Sequence, residues 1–261
     1  MSDPHSLPDA ARIRTALPSV TDVRVFAEID STNTEARRIC RDETVRGPVL
    51  LIADSQTSGR GRQGKSFYSP AGTGLYMTLL LPVRDAPADT VPVTTMTGTA
   101  VAEALEAVSK RQFGIKWVND IFSGGKKLAG ILCEQTADPH TPGQTDLIIG
   151  IGINLTTEDF PAELRGIAAS AGDPGIDRSL LAADIASRIL TLASDLHDRS
   201  YMESYRRHSI VLGKTVTYRS GGEIRTAEAV SIDDDAALHV RRPDGIEEVL
   251  NSGEISIRLA Q

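Results

Sequence analysis

Cysteine, aromatic residues and long apolar runs are all scarce in this chain of 261 residues. The two cysteines, Cys40 and Cys133, show no metal-ligand spacing and each lies within an apolar pattern, which predicts buried free thiols rather than a disulfide. No apolar run approaches the roughly 20 residues that a membrane-spanning helix needs. The first residues also lack the basic and then apolar order of a signal peptide. We therefore expect a cytoplasmic protein without membrane contact and without a protein-held metal site.

Basic residues are outnumbered by acidic ones, 28 Lys and Arg against 35 Asp and Glu, for a net charge of −7. A protein that coats nucleic acid usually needs a basic face, so no nucleic-acid partner is predicted. The balance still allows one small basic pocket. With 40% hydrophobic and 24% charged residues, the composition is that of a globular protein with a sizeable core.

One loop concentrates the positive charge that the rest of the chain lacks. Residues 58–66 read Ser-Gly-Arg-Gly-Arg-Gln-Gly-Lys-Ser, which is three cations and three glycines in nine positions. Glycine lets backbone N–H groups turn toward an anion, and arginine offers two-pronged donors suited to carboxylate or phosphate. The loop therefore predicts a negatively charged ligand, although a merely basic surface loop remains an alternative.

Residues 59–66 also fit the phosphate-binding pattern G-x-x-x-x-G-K-[ST]. That motif requires a strand that runs straight into the loop and a helix that opens straight out of it. Here the apolar run 49–53 ends too early, and Pro70, Gly72 and Gly74 stand where the helix would begin. We therefore reject the P-loop interpretation.

The order of patterns predicts an α+β fold with a mixed or antiparallel sheet and packed helices, followed by a small β module. Apolar periodicity predicts strands over 23–29, 49–53, 74–82, 114–122, 126–134 and 147–155. Helices are predicted over 10–17, from Thr32, over about 93–108, from Ser179, and through Tyr201 and Tyr205. Five short alternating segments follow, the last over 255–259. We place the domains at 1–211 and 212–261.

Three features keep two interpretations each at this level. Thr32 and Glu35 have the spacing of a capping box, yet Ser31, Thr32 and Asn33 also suit a polar ligand. Lys116 lies between apolar neighbours in its predicted strand. It is either a lysine at the edge of the sheet or an ammonium aimed at an anion in a pocket. The glycines of the strand 147–155 indicate close approach of either backbone or ligand.

Together these stretches resemble the biotin protein ligases. The resemblance rests on Asp-Ser-Thr-Asn at 30–33, Gln56, Gly-Arg-Gly-Arg-Gln-Gly-Lys at 59–65, Phe-Tyr-Ser-Pro at 67–70, Lys-Trp-Val-Asn-Asp at 116–120, Lys-Leu-Ala-Gly-Ile-Leu at 127–132 and Gly-Ile-Gly-Ile-Asn at 150–154. It implies a catalytic domain like that of class II synthetases and biotin–lipoate ligases, with a C-terminal SH3-like barrel. The first matching strand begins near residue 23, so we expect the monofunctional type without the DNA-binding domain of some members.

The resemblance implies a ligase reaction in two halves. Biotin and ATP with Mg²⁺ would give biotinyl-5′-AMP and pyrophosphate, and biotin would pass to a lysine of a biotin carboxyl carrier protein, usually that of acetyl-CoA carboxylase. Arg62 and Lys116 are the expected catalytic residues, because a carboxylate that attacks a phosphate needs fixed cations to cancel the repulsion. The glycine-rich loop is expected to close over the adenylate and exclude water.

The same resemblance implies the binding residues. Those expected to contact biotin are Ser31, Thr32, Asn33, Gln56, Arg60, Gly61, Arg62 and Lys116. Those expected to contact the nucleotide are Arg62, Lys65, Phe67, Asn119, Lys127 and Asn154. Asp120 would either assist through Mg²⁺ or hold Asn119.

Two positions depart from the family pattern, and rival functions remain. Phe67 replaces a common tryptophan and offers a smaller stacking face. Val118 stands where many members have proline. A strand accepts valine readily, so no loss of function is expected there. A lipoate ligase shares the fold, and a non-catalytic sensor of biotinyl-adenylate shares the ligand. A homodimer is possible, while the acceptor carboxylase and the order of substrate binding are not encoded in any motif.

Overall fold

A seven-stranded sheet organises the larger part of the chain, in a computed structural model that describes residues 7–251 and 255–257. Its strands are β1 (Asp22–Ile29), β2 (Val49–Gln56), β3 (Gly74–Val83), β4 (Gly114–Lys116), β5 (Asp120–Ser123), β6 (Lys126–Ala137) and β7 (Thr145–Asn154). They lie in the order β1-β2-β3-β7-β6-β5-β4. β1 pairs with β2 in parallel, and the other neighbouring pairs are antiparallel. This mixed sheet confirms the α+β prediction.

Within the part of the chain that the structure describes, five α-helices pack on the two faces of this sheet. They are α1 (Ala10–Ala16), α2 (Thr32–Asp42), α3 (Val91–Ser109), α4 (Arg178–Leu192) and α5 (Tyr201–His208). Successive side chains of a strand point to opposite faces, and β6 shows which helix lies on which face. The Cys133 side chain interacts with Thr94 of α3, whereas the next side chain, Glu134, accepts a hydrogen bond from Asn33 of α2. The α2 face, opposite α3, carries the candidate site.

The residues that begin two helices differ from the sequence prediction. α2 starts after Ser31 and no side chain caps it, so the capping box of Thr32 and Glu35 is wrong. The reason is that the Thr32 hydroxyl turns into the sheet, 2.8 Å from the Thr78 hydroxyl. α4 is capped by Asp177 rather than Ser179, because the Asp177 carboxylate accepts from two N–H groups of the first turn.

The strand predicted over 114–122 is instead a hairpin of two short strands. β4 ends at Lys116, the chain turns through Trp117, Val118 and Asn119, and β5 begins at Asp120, opposite Lys116. The Trp117 ring is buried, and its Nε1 donates to the carbonyl of Ala236 at 2.9 Å. Val118 therefore lies in a turn, and the expectation of a strand position there is wrong. Asn119 gains a turn position from which its side chain reaches the neighbouring loop.

The C-terminal region forms a second, five-stranded antiparallel sheet, as its alternating pattern predicted. Its strands are β8 (Thr215–Ser220), β9 (Glu223–Ile232), β10 (Leu238–Arg241), β11 (Glu247–Leu250) and β12 (Ile255–Ile257), in the order β11-β10-β9-β8-β12. Residues 258 and 259 of the last predicted strand lie outside the described residues. One apolar cluster runs from the large sheet through Val211 into Val216 and Leu238. The boundary at residue 212 stays a prediction.

Both cysteines carry free thiols, as predicted, with Cys40 buried and Cys133 half-buried. Burial raises the pKa of both thiols to about 12, which favours the protonated thiol at neutral pH. In the ranges 7–251 and 255–257, the helices are too short or too polar to span a bilayer.

Candidate active site

Three glycines, Gly130, Gly150 and Gly152, leave a strip of the sheet without side chains on the α2 face, and we call this strip the trough. Gly130 of β6 lies opposite Gly152 of β7, and Gly150 lies one position further along the same face. A Cβ on Gly152 would lie 2.6 Å from the Phe67 ring, and a Cβ on Gly150 would overlap the Asn33 amide. The glycines of β7 do permit close approach, but the groups that approach are two side chains, so the expectation of backbone or ligand there is wrong. The absent Cβ atoms are what allow Phe67 and Asn33 to reach the strands.

A buried polar network fills the trough at the start of α2. Thr78 of β3 is fully buried, and its hydroxyl lies 2.7 Å from Asn33 Oδ1 and 2.8 Å from Thr32 Oγ1. An amide oxygen only accepts, so the Thr78 proton is directed at Asn33. The Thr32 backbone N–H donates to Gln56 Oε1 at 2.9 Å, and Gln56 Nε2 donates to the Ser69 hydroxyl at 2.9 Å. These contacts fix the polar groups in place before any ligand arrives.

The basic loop folds back on itself. Gly61 N–H donates to the Lys65 carbonyl at 2.7 Å, and Phe67 N–H donates to the Gly59 carbonyl at 2.9 Å. A short 3₁₀ turn spans Arg62–Gly64, where Gln63 and Gly64 adopt positive φ values of 55° and 74°. No α-helix follows within the described residues before α3, and the next regular element is β3. The rejection of a P-loop is confirmed.

Arg60 reaches from the loop to a carboxylate on β6. Its Nη1 and Nη2 donate to the two oxygens of Glu134 at 2.9 and 3.0 Å. From α2, Arg37 pairs with the same carboxylate, and Asn33 Nδ2 donates to it at 3.2 Å. Burial favours the neutral acid, but these hydrogen bonds outweigh it and hold the pKa of Glu134 below its ordinary value. The carboxylate is therefore ionised at neutral pH.

Arg62 reaches the turn between β4 and β5. Its Nη1 donates to Asn119 Oδ1 at 3.2 Å, and Asn119 Nδ2 donates to Asp120 Oδ1 and to the Ile131 carbonyl, both at 3.0 Å. Lys127 Nζ lies 2.7 Å from the same Asp120 oxygen. Asp120 thus accepts from Asn119, as one of the two roles considered for it requires, and its role through Mg²⁺ stays a prediction.

Lys116 shares a sheet face with these groups, because it lies directly opposite Asp120 in the hairpin. It is half-buried, and its Nζ lies 5.7 Å from the centroid of the Phe122 ring. It also lines a groove of about 1220 Å³ that runs toward Arg207 and Lys214. Because β4 is an edge strand of the sheet, this position fits an edge lysine, and an ammonium aimed at an anion stays a prediction.

Two further predicted nucleotide residues, Phe67 and Asn154, lie on the same face of the sheet. Phe67 packs over Gly130 and Gly152 and meets Tyr76 edge to face, with ring centroids 6.3 Å apart. Asn154 closes β7 and donates its Nδ2 to the Ala169 carbonyl at 3.1 Å. Among the residues that the structure describes, its buried Oδ1 has no hydrogen-bond partner. Such an oxygen is an acceptor ready for a ligand donor.

Comparison with known proteins assigns the family. Residues 25–154 match the Biotin/lipoate A/B protein ligase family, and residues 211–258 match the Biotin protein ligase C terminal domain. The bifunctional ligase/repressor BirA of Bacillus spizizenii is 32% identical over 236 residues, which cover 86% of this chain and 70% of that protein.

The chain belongs to the biotin protein ligase family.

Two further relatives show how far the likeness extends. The biotin–[acetyl-CoA-carboxylase] ligase of Mycobacterium tuberculosis is 31% identical over 227 residues, covering 82% of this chain and 81% of that protein. The biotin protein ligase from Aquifex aeolicus, solved in complex with biotin and ATP, superposes with a TM-score of 0.74 at 26% identity. That superposition covers 92% of this chain and 100% of the other. The predicted fold, with its separate C-terminal sheet, is therefore confirmed as the fold of this family.

Some residues of this candidate site were not predicted from the sequence. Glu134, Arg37, Thr78 and Ser69 join the network, and none lies in a stretch that carried the resemblance except Ser69. Strand alternation offered one signal, since Glu134 lies an even number of residues from Gly130 and hence on the same face. Thr78 is the one polar residue within the apolar segment 75–81 apart from Tyr76. A hydroxyl in such a segment needs a buried partner.

Proposed function

We propose that this chain is a biotin protein ligase that works through an adenylate. The biotin carboxylate oxygen would attack the α-phosphorus of ATP, forming the acyl–phosphate bond as the bond to pyrophosphate breaks. The amine of an acceptor lysine would then attack the activated carbonyl, forming an amide and releasing AMP. Relatives named as biotin–[acetyl-CoA-carboxylase] ligases and the Aquifex structure with biotin and ATP support this reaction.

The observation that carries the proposal is the convergence of cations from distant segments on one sheet face. Arg60 and Arg62 come from the loop, while Lys116 and Lys127 come from the β4–β6 hairpins. Two anions that meet in a reaction repel each other, and fixed positive charge lowers that cost in the transition state. Arg62 is our choice for this role because its observed partner, Asn119, is a neutral amide. Arg60, in contrast, is paired with the carboxylate of Glu134.

Roles for the other polar residues follow from their positions. We assign biotin to the network at the start of α2, where the hydroxyls and amides are preorganised, together with the loop and Lys116. This set is Ser31, Thr32, Asn33, Gln56, Arg60, Gly61, Arg62 and Lys116. We assign the nucleotide to Arg62, Lys65, Phe67, Asn119, Lys127 and Asn154. The ring of Phe67 offers a stacking face for adenine, and Asn154 Oδ1 offers an acceptor.

Magnesium enters the proposal with the triphosphate of ATP. Mg²⁺ in nucleotide sites keeps several waters and takes one or two carboxylates together with phosphate oxygens. In the ranges 7–251 and 255–257, no cluster of three or more His, Cys, Asp or Glu side chains suits a metal. The oxygens of Asp120 fit the hard-ligand preference of Mg²⁺, so this carboxylate is our candidate. The acceptor, we infer, is a lysine of a biotin carboxyl carrier protein.

Biotin-dependent exchange of pyrophosphate into ATP tests the proposal. We expect exchange by the wild type, and a loss of about 10²- to 10³-fold in Arg62→Ala and Lys116→Ala, the cost of removing one transition-state stabiliser. Arg24→Ala is the matched control, because Arg24 forms a surface ion pair with Glu43 away from the trough. Lipoate in place of biotin should give no exchange. A wild type that does not exchange with biotin rejects the ligase.

A further inference from the structure

We propose that Glu134 is a positioning residue, which holds the basic loop against the sheet through Arg60 and thereby sets the affinity for biotin. The proposal rests on the proposed function, since biotin is its ligand. Glu134 belongs to β6, Arg60 to the loop, and the two are 74 residues apart in the chain. Their pairing is a direct charged contact between loop and sheet.

The geometry makes Glu134 a fixed anchor. Its carboxylate accepts from both prongs of the Arg60 guanidinium, and on its other side α2 contributes Arg37 and Asn33. The Glu134 side chain is 14% exposed, whereas Arg60 is 37% exposed. A two-pronged guanidinium–carboxylate pair fixes direction as well as distance. Glu134, which is buried and also bonded from α2, is therefore the fixed partner, and it positions the more exposed Arg60.

The loop transmits this anchoring to Arg62, which Glu134 does not touch in any observed contact. The hydrogen bond between Gly61 and Lys65 and the pairing of Arg60 with Ser66 close the loop into one unit. That unit meets the sheet through Arg60 at Glu134, Arg62 at Asn119 and Phe67 at Gly152. When the first of these contacts is lost, we expect the whole unit to spend more time away from the sheet.

Glu134 does not cancel the attraction for an anionic ligand. The carboxylate bears one negative charge, while Arg37 and Arg60 bear one positive charge each, which leaves the cluster positive. Its depressed pKa keeps the carboxylate charged at neutral pH. Glu134 is expected to raise the fraction of molecules whose loop is closed. When Glu134 is replaced, that fraction falls, and the apparent affinity for biotin falls by the same factor. At saturating biotin the loop closes again, so the maximal rate should change little.

Glu134→Gln is the test, with Glu43→Gln as its matched control. Glu43 forms a similar two-pronged pair with Arg24, at 3.1 and 2.8 Å, between the end of α2 and β1. The first readout is the rate of trypsin cleavage after Arg60, Arg62 and Lys65 without ligand, and the second is pyrophosphate exchange against biotin concentration. For Glu134→Gln we expect cleavage about tenfold faster and a biotin KM about tenfold higher, with kcat within about threefold. Glu43→Gln should match the wild type.

A second variant and a separate readout keep the outcomes distinct. Glu134→Asp keeps the charge on a shorter side chain, so its cleavage rate and KM should lie between wild type and Glu134→Gln. Unchanged loop cleavage in both variants overturns the proposal, and so does a fall in kcat at unchanged KM. If the wild type itself shows no biotin-dependent exchange, the proposed function fails, while the cleavage rates still decide whether Glu134 anchors the loop.

Discussion

The Phe67 ring lies against the backbone of Gly152, and a methyl group on that glycine would lie 2.6 Å from ring atom Cε1. The contact joins the segment after the basic loop to the middle of the sheet. It depends on a residue without a side chain, so it can be broken by adding one carbon atom rather than by removing a functional group.

Gly152→Ala should displace Phe67 and weaken ATP binding. Overlap at 2.6 Å forces the ring to move, and the stacking face proposed for adenine moves with it. We expect an increase of about tenfold in the KM for ATP, equivalent to about 1.4 kcal/mol, measured by pyrophosphate exchange. Gly98→Ala in α3 is the control, because its Cβ would meet neighbours at ordinary distances of 3.7–3.9 Å. An unchanged KM for ATP in Gly152→Ala would contradict the assignment of Phe67.

Thr78→Val should weaken biotin binding and lower stability together. The substitution keeps the shape but removes the hydroxyl that donates to Asn33 Oδ1, leaving a buried acceptor without its donor. Such a loss costs about 1–3 kcal/mol in the free energy of unfolding, and urea titration measures it. The biotin KM should rise as Asn33 loses its orientation. Thr99→Val is the matched control, since that buried hydroxyl donates within α3, to the Thr95 carbonyl.

Asn119→Asp should slow adenylate formation more than Asn119→Ala. Asn119 Oδ1 accepts from Arg62, so a carboxylate there would draw the guanidinium into an ion pair and repel the reacting anions. Removal of the amide to alanine loses the contact but leaves the charge of Arg62 available. We expect kcat for pyrophosphate exchange to fall at least tenfold further in the aspartate variant, about 1.4 kcal/mol in the barrier. Equal rates in the two variants would argue against charge stabilisation by Arg62.

Asp146→Asn should stabilise the protein relative to the wild type as pH rises. Asp146 is fully buried; burial and the neighbouring Asp138 raise its pKa above the ordinary 3.8, although Gln144, Cys40 and His140 partly oppose this. A raised folded-state pKa means that the contribution of Asp146 to stability is complete below pH 3.8 and is lost as pH rises through the raised value. Asparagine has no charge to gain. Unfolding free energies of both proteins from pH 4 to 8 measure the divergence, and parallel curves would contradict it.

The β4–β5 hairpin, which carries Lys116 and Asn119, shows what can and cannot be predicted from the sequence. The family resemblance predicts Lys116 and Asn119 as site residues, whereas apolar periodicity predicts a single strand over 114–122. Its apolar residues satisfy strand periodicity, and neither proline nor glycine marks the turn at 117–119. The turn is defined by tertiary contacts instead: Trp117 bonds to Ala236, and the Tyr205 hydroxyl donates to the Val118 carbonyl. Contacts that distant leave no trace in a local pattern.

Glu134 and Thr78 illustrate the other limit. The fold class, the five C-terminal strands and the glycine-rich loop follow from periodicity and composition, which are local properties. The role of Glu134, in contrast, depends on its contacts with Arg37 and Arg60, which lie 97 and 74 residues away in the sequence. Thr78 reads as an ordinary strand residue until α2 is placed over it. Which polar residues of a strand meet a partner depends on packing across the sheet, and this must be seen in three dimensions.

The turn 117–119 has a consequence for spectroscopy. Trp117 is the single tryptophan of the chain, so intrinsic indole fluorescence has one source. Its ring is buried where the second sheet meets the hairpin, and the same turn carries Asn119, the partner of Arg62. A change in emission on addition of biotin or ATP would therefore come from this one junction. The wild-type protein carries a built-in optical probe beside its loop, without any added label.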